Sequence, residues 1–212
     1  AIIPIKGESE KIGNKYLIQY TINQLRLSKY VNKIVVTSDN KKTLQLAKKF
    51  GSDIQIFRPK KLSKPKVNLE EVQKYTLNKL EEQNFDIDLV LHCEETFPIR
   101  DKNIFDKIIT KIVSEGLDTV IVSKRENNWL WSEKNNTFSR IDSGDIPREY
   151  KEKSMVGYHG IGCVTYPEFI RNGKLMGDKI GLYETTNPLS FLEIRTDRSK
   201  QLIQKFIKNF YK

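Results

Sequence analysis

Four short stretches carry the side chains that could handle a phosphorylated ligand. They are Lys6-Gly7-Glu8-Ser9, Thr37-Ser38-Asp39, Arg58-Pro59 and Glu94-Glu95-Thr96, with Arg100 just past the last. Lys6, Lys11, Arg58, Arg100 and the lysines between Lys60 and Lys66 supply positive charge. A cation beside a glycine turn, with backbone N–H groups exposed as the chain enters a helix, suits a phosphate chain. Carboxylates among the cations suit Mg²⁺, which takes oxygen ligands and bridges phosphates. Neither a GxGxxG run nor a P-loop lysine motif is present, which excludes a dinucleotide or Walker-type site. The two histidines, His92 and His159, form no Ser–His–Asp grouping. His92 lies in an apolar run and reads as core, whereas His159, between Tyr158 and Gly160, could equally meet a ligand.

For these stretches to act together, each must end a strand at the same sheet edge. The pattern predicts this. Ala1–Ile5, Lys33–Thr37, Ile54–Phe57, Asp88–Cys93 and Thr119–Ser123 are apolar runs of strand length. They alternate with helical periods near 15–28, 41–50, 69–80 and 104–112, and Ser38-Asp39-Asn40 and Asn68 stand where helix caps belong. Strands alternating with helices imply an α/β fold with a mostly parallel sheet covered on both faces. In such a sheet, ligands bind beyond the carboxyl ends of the strands. Past Ser123 the pattern changes. Trp129–Ile141 reads as a β-hairpin, a glycine-punctuated strand ends at Cys163-Val164-Thr165, and Ser190–Ile194 reads as a late strand. Leu202, Ile203, Phe206, Ile207 and Phe210 recur at helical spacing, the stripe of a closing amphipathic helix.

The 212 residues fit one domain, 1–212, with an inserted arm at about 125–155. The net charge of +10, from 37 Lys+Arg against 27 Asp+Glu, favours an anionic partner, although lysines scattered over helix faces also serve as plain solvated surface. Cys93 and Cys163 sit in apolar runs and are expected to be reduced, as in the cytoplasm. No run approaches a membrane span and no signal peptide is expected. Trp129 and Trp131, two apart, are expected on one face of their strand, a face suited to burial against another surface.

Several of these segments, taken in order, resemble one family. AIIPIKGES at 1–9, Tyr20-Thr21-Ile22, Val35-Val36-Thr37-Ser38-Asp39, Arg58-Pro59 and Thr96-Phe97-Pro98-Ile99-Arg100 are similar to the motifs of the cytidylyltransferases that activate acidic sugars, the CMP-N-acylneuraminate and CMP-Kdo synthetases. The resemblance implies a Rossmann-like nucleotidyltransferase fold, a homodimer joined through a hairpin arm, Mg²⁺, and transfer of CMP from CTP to a 2-keto acid sugar with release of pyrophosphate. It places Lys6, Ser9, Asp39 and Arg58 at the nucleotide, and Thr96 and Arg100 at the acceptor. From the residues beside them, Gly7, Lys11 and Ser38 are expected to join the nucleotide, Glu94, His159 and either Arg100 or Arg148 the acceptor, and Glu193 with Glu94 or Glu95 the metal, with Lys6, Arg100 and Arg195 as working cations. Two departures stand out. The opening loop is shorter by about eight residues than the family's. The family's DIDT, which carries two metal-binding aspartates, is here Glu193-Ile194-Arg195-Thr196, and Arg195 is expected to pair with Glu193. A relative using another nucleotide or a sugar phosphate, and a non-catalytic polyanion binder, are the alternatives.

Overall fold

The computed structural model describes residues 1–142, 146–147, 149–150, 152 and 154–210. The opening run forms β1 (Ile2–Ile5), which lies inside an eight-stranded sheet. Two short strands, β2 (Lys11–Ile12) and β3 (Lys15–Tyr16), pair with each other in the loop that follows. β4 (Val35–Ser38) lies parallel to β1 with Ile2 opposite Val35, and β5 (Ile54–Phe57) is parallel to β4. On the other side of β1 comes β6 (Val90–His92), also parallel. β7 (Thr119–Glu126) is the longest strand of the sheet, and the hairpin β8 (Trp131–Lys134) and β9 (Thr137–Arg140) follows it.

The second half of the sheet is mixed. β10 (Ser154–Gly157) and β11 (Cys163–Thr165) run antiparallel to successive halves of β7, and β11 also pairs with β6, Cys163 opposite His92. Residues 158–162 form a turn between them, so a single antiparallel course is interrupted and bulges out where β6 ends. β12 (Ile180–Glu184) lies parallel along β7.

Alternation along β1 decides the layers. Ile3 and Ile5 pack with Ile18 and Ile22 of α1 (Leu17–Arg26) and with Ile104 and Ile108 of α4 (Ile104–Ser114). Ile2 faces the other way, with Val35, Val90 and residues of α3 (Leu69–Glu81) and α5 (Pro167–Arg171). α2 (Lys41–Lys49) adds Leu44 and Ala47 to the first layer. Side chains cap α2 and α3 as the sequence suggests: Asn40 accepts from the Lys42 and Thr43 N–H groups, and Asn68 from that of Glu71. A third cluster joins Ile203 and Ile207 of α6 (Asp197–Phe210) to Ile12, Leu17, Ile99 and Ile194. It anchors the chain's last helix against the edge where the strand-end loops gather.

The expected strand at Ser190–Ile194 is not formed. Pro188–Phe191 is a 3-10 turn, opened by Asn187, whose side chain accepts from the Leu189 N–H. Pro188 has no N–H to give a ladder, and the partner strand at β7 is instead β12, which the sequence reading left unassigned.

Candidate active site

The loops after β1, β4, β5 and β6 all leave the same edge of the sheet, and the site divides into two halves there. In the first half, Gly7 turns the chain in the left-handed region at φ 71° and donates its N–H to Asp39 Oδ1 at 2.9 Å. The Thr43 hydroxyl donates to the Gly7 carbonyl and accepts from the Ser9 N–H. Burial would push Asp39 up, but the Gly7 N–H and the Ser63 hydroxyl outweigh it and hold the carboxyl below its ordinary value. Arg58 is buried, its Nε on Ser63 Oγ at 3.0 Å and its Nη1 on the Thr37 carbonyl at 3.1 Å. Ser38 is also buried, its hydroxyl accepting from the Asn40 N–H. Lys6 and Lys11 remain exposed, Lys11 lying over the Tyr16 ring at 4.8 Å. Expected nucleotide residues therefore fall into two kinds: exposed lysines available to a ligand, and buried Ser38 and Arg58, which brace the loops.

Ser9 belongs with the braces. Its hydroxyl donates to Glu95 Oε2 at 2.5 Å and accepts from the Ile18 N–H, and both side chains are buried. This contact ties the loop after β1 to the loop after β6. Burial pushes the Glu95 carboxyl up to about 7.

The second half is built around Glu94. Its carboxylate Oε1 lies 3.2 Å from His159 Nε2 and 3.6 Å from His92 Nε2, and its Oε2 accepts from the Thr96 hydroxyl at 3.2 Å. Thr96 Oγ1 also lies 3.4 Å from Glu193 Oε1, and that oxygen is 2.7 Å from Arg195 Nε. The Ile194 N–H donates to the Thr96 carbonyl at 2.8 Å, which is what brings Glu193 and Arg195 to this loop. The 158–162 turn delivers His159: the Gly160 carbonyl accepts from the Glu94 N–H at 2.8 Å. Only glycine fits at 160, since a Cβ there would lie 2.5 Å from the Phe97 ring. Burial would raise Glu94, but the contact with His159 and the nearby His92 ring prevail and hold the carboxyl well below the usual range. Glu94 in turn raises His159, while burial lowers His92. On its far side, His92 Nδ1 meets Gln73 Nε2 at 2.7 Å.

Three expected site residues are held by other parts of the chain, and the pairing of Glu193 with Arg195 is the one expected. Arg100, expected to grip substrate, is 1% exposed. Its Nε donates to the Ile161 carbonyl, its Nη1 to Thr21 Oγ1, and its Nη2 to the carbonyls of Glu94 and Gly160, so it stitches the β6 loop to the 158–162 turn. Glu95 faces Ser9 in the interior and is not presented as a metal ligand, and Glu193 is neutralised by Arg195. Neither joins a three-ligand cluster among the described residues, where the one grouping of this kind is His92, Glu94 and His159. A set with two imidazoles does not fit a protein-held Mg²⁺, which takes oxygen donors. Arg148 lies outside the described residues. His92 is buried at the end of β6, as its apolar surroundings suggested, and it also borders Glu94.

Two pseudaminic acid cytidylyltransferases of Campylobacter jejuni are each 28% identical over 120 residues, 53% of this chain and 52% of the relative. The chain thus spans about half the length of the curated relatives it matches. Solved structures share the fold. A CMP:2-keto-3-deoxy-manno-octonic acid synthetase complexed with CTP superimposes with TM-score 0.69 at 12% identity, over 98% of this chain and 97% of that one. A 4-diphosphocytidyl-2C-methyl-D-erythritol synthase from Anaerococcus prevotii gives 0.69 at 12% identity, over 98% and 96%. The family profile for cytidylyltransferases matches residues 9–173, from Ser9 in the first strand-end loop through α5, and the chain belongs to that family.

Proposed function

We propose that this chain transfers the cytidylyl group of CTP to a hydroxyl of an acidic 2-keto sugar. The acceptor oxygen forms a bond to the α-phosphorus, the bond from that phosphorus to the β-phosphate oxygen breaks, and pyrophosphate leaves. The observation that carries the reading is the family match over residues 9–173, which include Asp39 and Arg58 of the first half and Glu94, Thr96 and His159 of the second. Transfer at phosphorus depends mainly on positioning and on neutralising charge. Lys6 and Lys11, exposed on the loop that Asp39 braces through Gly7, serve the triphosphate. Arg58 and Ser38 keep the ends of β4 and β5 in place beneath it. With Glu95 buried and Glu193 paired, Mg²⁺ would be held chiefly by the triphosphate itself and would help to neutralise its charge.

The acceptor binds at Glu94, Thr96 and His159. Among the described residues beside this cluster, Arg100 is occupied by backbone carbonyls, whereas Arg195, paired with Glu193, keeps 69% side-chain exposure and can meet an anionic acceptor. The names of the Campylobacter relatives and of the octonic acid synthetase support an acidic sugar as acceptor. The reaction belongs in the cytoplasm, in keeping with two free, buried cysteines and with the fact that no described helix is long and apolar enough to cross a membrane.

The hairpin arm supports a homodimer. In its register, Trp131 opposes Arg140 and Glu133 opposes Phe138, so these four share one face, and Trp131 and Phe138 are both more than half exposed. Trp129 lies against Arg140 at 4.8 Å, next to the same face. Sedimentation should show a dimer for the parent and a monomer for Trp131→Glu; a monomeric parent contradicts the arm's role.

The enzymatic test supplies CTP, UTP, ATP or GTP with an acidic 2-keto sugar or a sugar phosphate and measures pyrophosphate and the CMP-sugar. CTP with the acidic sugar should dominate. Turnover with the sugar phosphate alone, or with another nucleotide, contradicts the reading.

A further inference from the structure

We propose that His92, Glu94 and His159 form a binding site for a divalent first-row transition-metal ion. The ligand atoms, one from each residue, lie within 4.8 Å of one another. Two of the three separations, 3.2 Å from His159 Nε2 to Glu94 Oε1 and 3.6 Å from His92 Nε2 to the same oxygen, match the spacing of about 3.3 Å between donors that sit roughly 2.0–2.1 Å from a tetrahedral ion. The third, between the two imidazoles, is no more than 4.8 Å, and the His159 side chain is half-exposed, with room to adjust.

A second observation points the same way. His92 Nε2 is fully buried and has no hydrogen-bond partner, and it is aimed at the cluster. Its other nitrogen meets the Gln73 amide at 2.7 Å, and Gln73 Oε1 is also buried without a partner. Which end of an amide faces a ring is an assignment of hydrogens. With Oε1 turned to the ring, Gln73 accepts the Nδ1–H and fixes the tautomer that leaves the Nε2 lone pair for a metal. That is the usual second contact of a metal-binding histidine. Thr96 holds the other oxygen of Glu94 in the same sense.

Donor chemistry selects the ion. Two imidazoles and a carboxylate suit Zn²⁺, Co²⁺ or Fe²⁺ and not Mg²⁺ or Ca²⁺. A cavity of about 280 Å³, lined by His92, His159, Gln73, Cys163 and Met176 among others, adjoins the cluster and leaves room for a further ligand on the ion. The site rests on the cluster itself and needs no cytidylyl transfer, so its test uses neither CTP nor sugar.

Protein stripped by a chelator is titrated with Co²⁺, followed by visible absorption, and with Zn²⁺ in competition with a chromophoric chelator. One ion should bind per chain, with a sub-micromolar dissociation constant for Zn²⁺, and a thousandfold excess of Mg²⁺ should leave it in place. His159→Gln and Glu94→Gln, checked for folding by circular dichroism, should each weaken binding at least ~100-fold, beyond the range seen for outer-shell changes. His159 is half-exposed and Glu94→Gln is isosteric, so both variants keep the fold. No binding by the parent, equal affinity in both variants, or displacement by Mg²⁺ overturns the proposal.

Discussion

Glu95 offers the most quantitative handle on how the site is assembled. It is 8% exposed, and its carboxyl rises from 4.5 to about 7 because the interior opposes its charge, the Ser9 hydroxyl relieving only part of that cost. The proton is therefore held more tightly in the folded state. The stabilising effect of that proton is fully present below pH 4.5, is lost as the pH climbs to 7, and is gone above it. A shift of this size corresponds to roughly 3 kcal/mol across the window. Glu95→Gln keeps the shape, keeps an acceptor for Ser9 and cannot ionise. Urea unfolding of parent and variant, measured in chelator from pH 5 to 8, should show the variant gaining on the parent as pH rises, by about 2–3 kcal/mol at the upper end. A difference that stays flat across the range would refute the assignment of a buried, proton-holding Glu95.

Three further substitutions separate braces from ligand contacts. Arg100→Lys loses most of the contacts to the carbonyls of Glu94, Gly160 and Ile161, and should lower stability by roughly 3–5 kcal/mol in a denaturant melt; an unchanged midpoint would return Arg100 to the substrate. Gly160→Ala drives a Cβ into Phe97 and should cost about 1–3 kcal/mol, with the His159 ring resonances in an NMR spectrum moving as its contact with Glu94 is disturbed. Lys6→Ala should weaken CTP binding in calorimetry by about 1.5–3 kcal/mol while the melting temperature barely changes, because Lys6 is exposed; an unaltered affinity removes it from the site.

Much of this architecture was legible because the signals are local. Ile54–Phe57 is a strand over the residues expected, and Asn40 and Asn68 cap the helices they precede. Each apolar run ends in the glycine, aspartate or cation that marks a strand-end loop, and that sufficed to gather the loops at one edge. The role of Arg100 was not legible. An arginine in a polar loop reads as surface, and only the approach of the 158–162 turn, some 60 residues away in sequence, supplies the carbonyls that bury it. His92 is core, as read, but its stacking with His159 was not legible for the same reason, since His159 arrives on that turn. Glu193 and Arg195 do pair, but not through strand geometry. The segment is irregular, and its hydrogen bond from Ile194 to Thr96 sets the contact. β12 went unread because its short run, Ile180–Glu184, contains a glycine and weak alternation.

The central claim is that the cations and loops at this sheet edge form a CTP site, and nucleotide-selective stabilisation tests it most directly. Thermal unfolding is recorded with CTP, UTP, ATP and GTP, with and without Mg²⁺, and with heparin as a polyanion control. A nucleotide at a hundred times its dissociation constant stabilises by about 2.7 kcal/mol. The account predicts a clear upward shift with CTP, larger with Mg²⁺, and little with the other three. Equal shifts with all four nucleotides, or a shift with heparin alone, would contradict it.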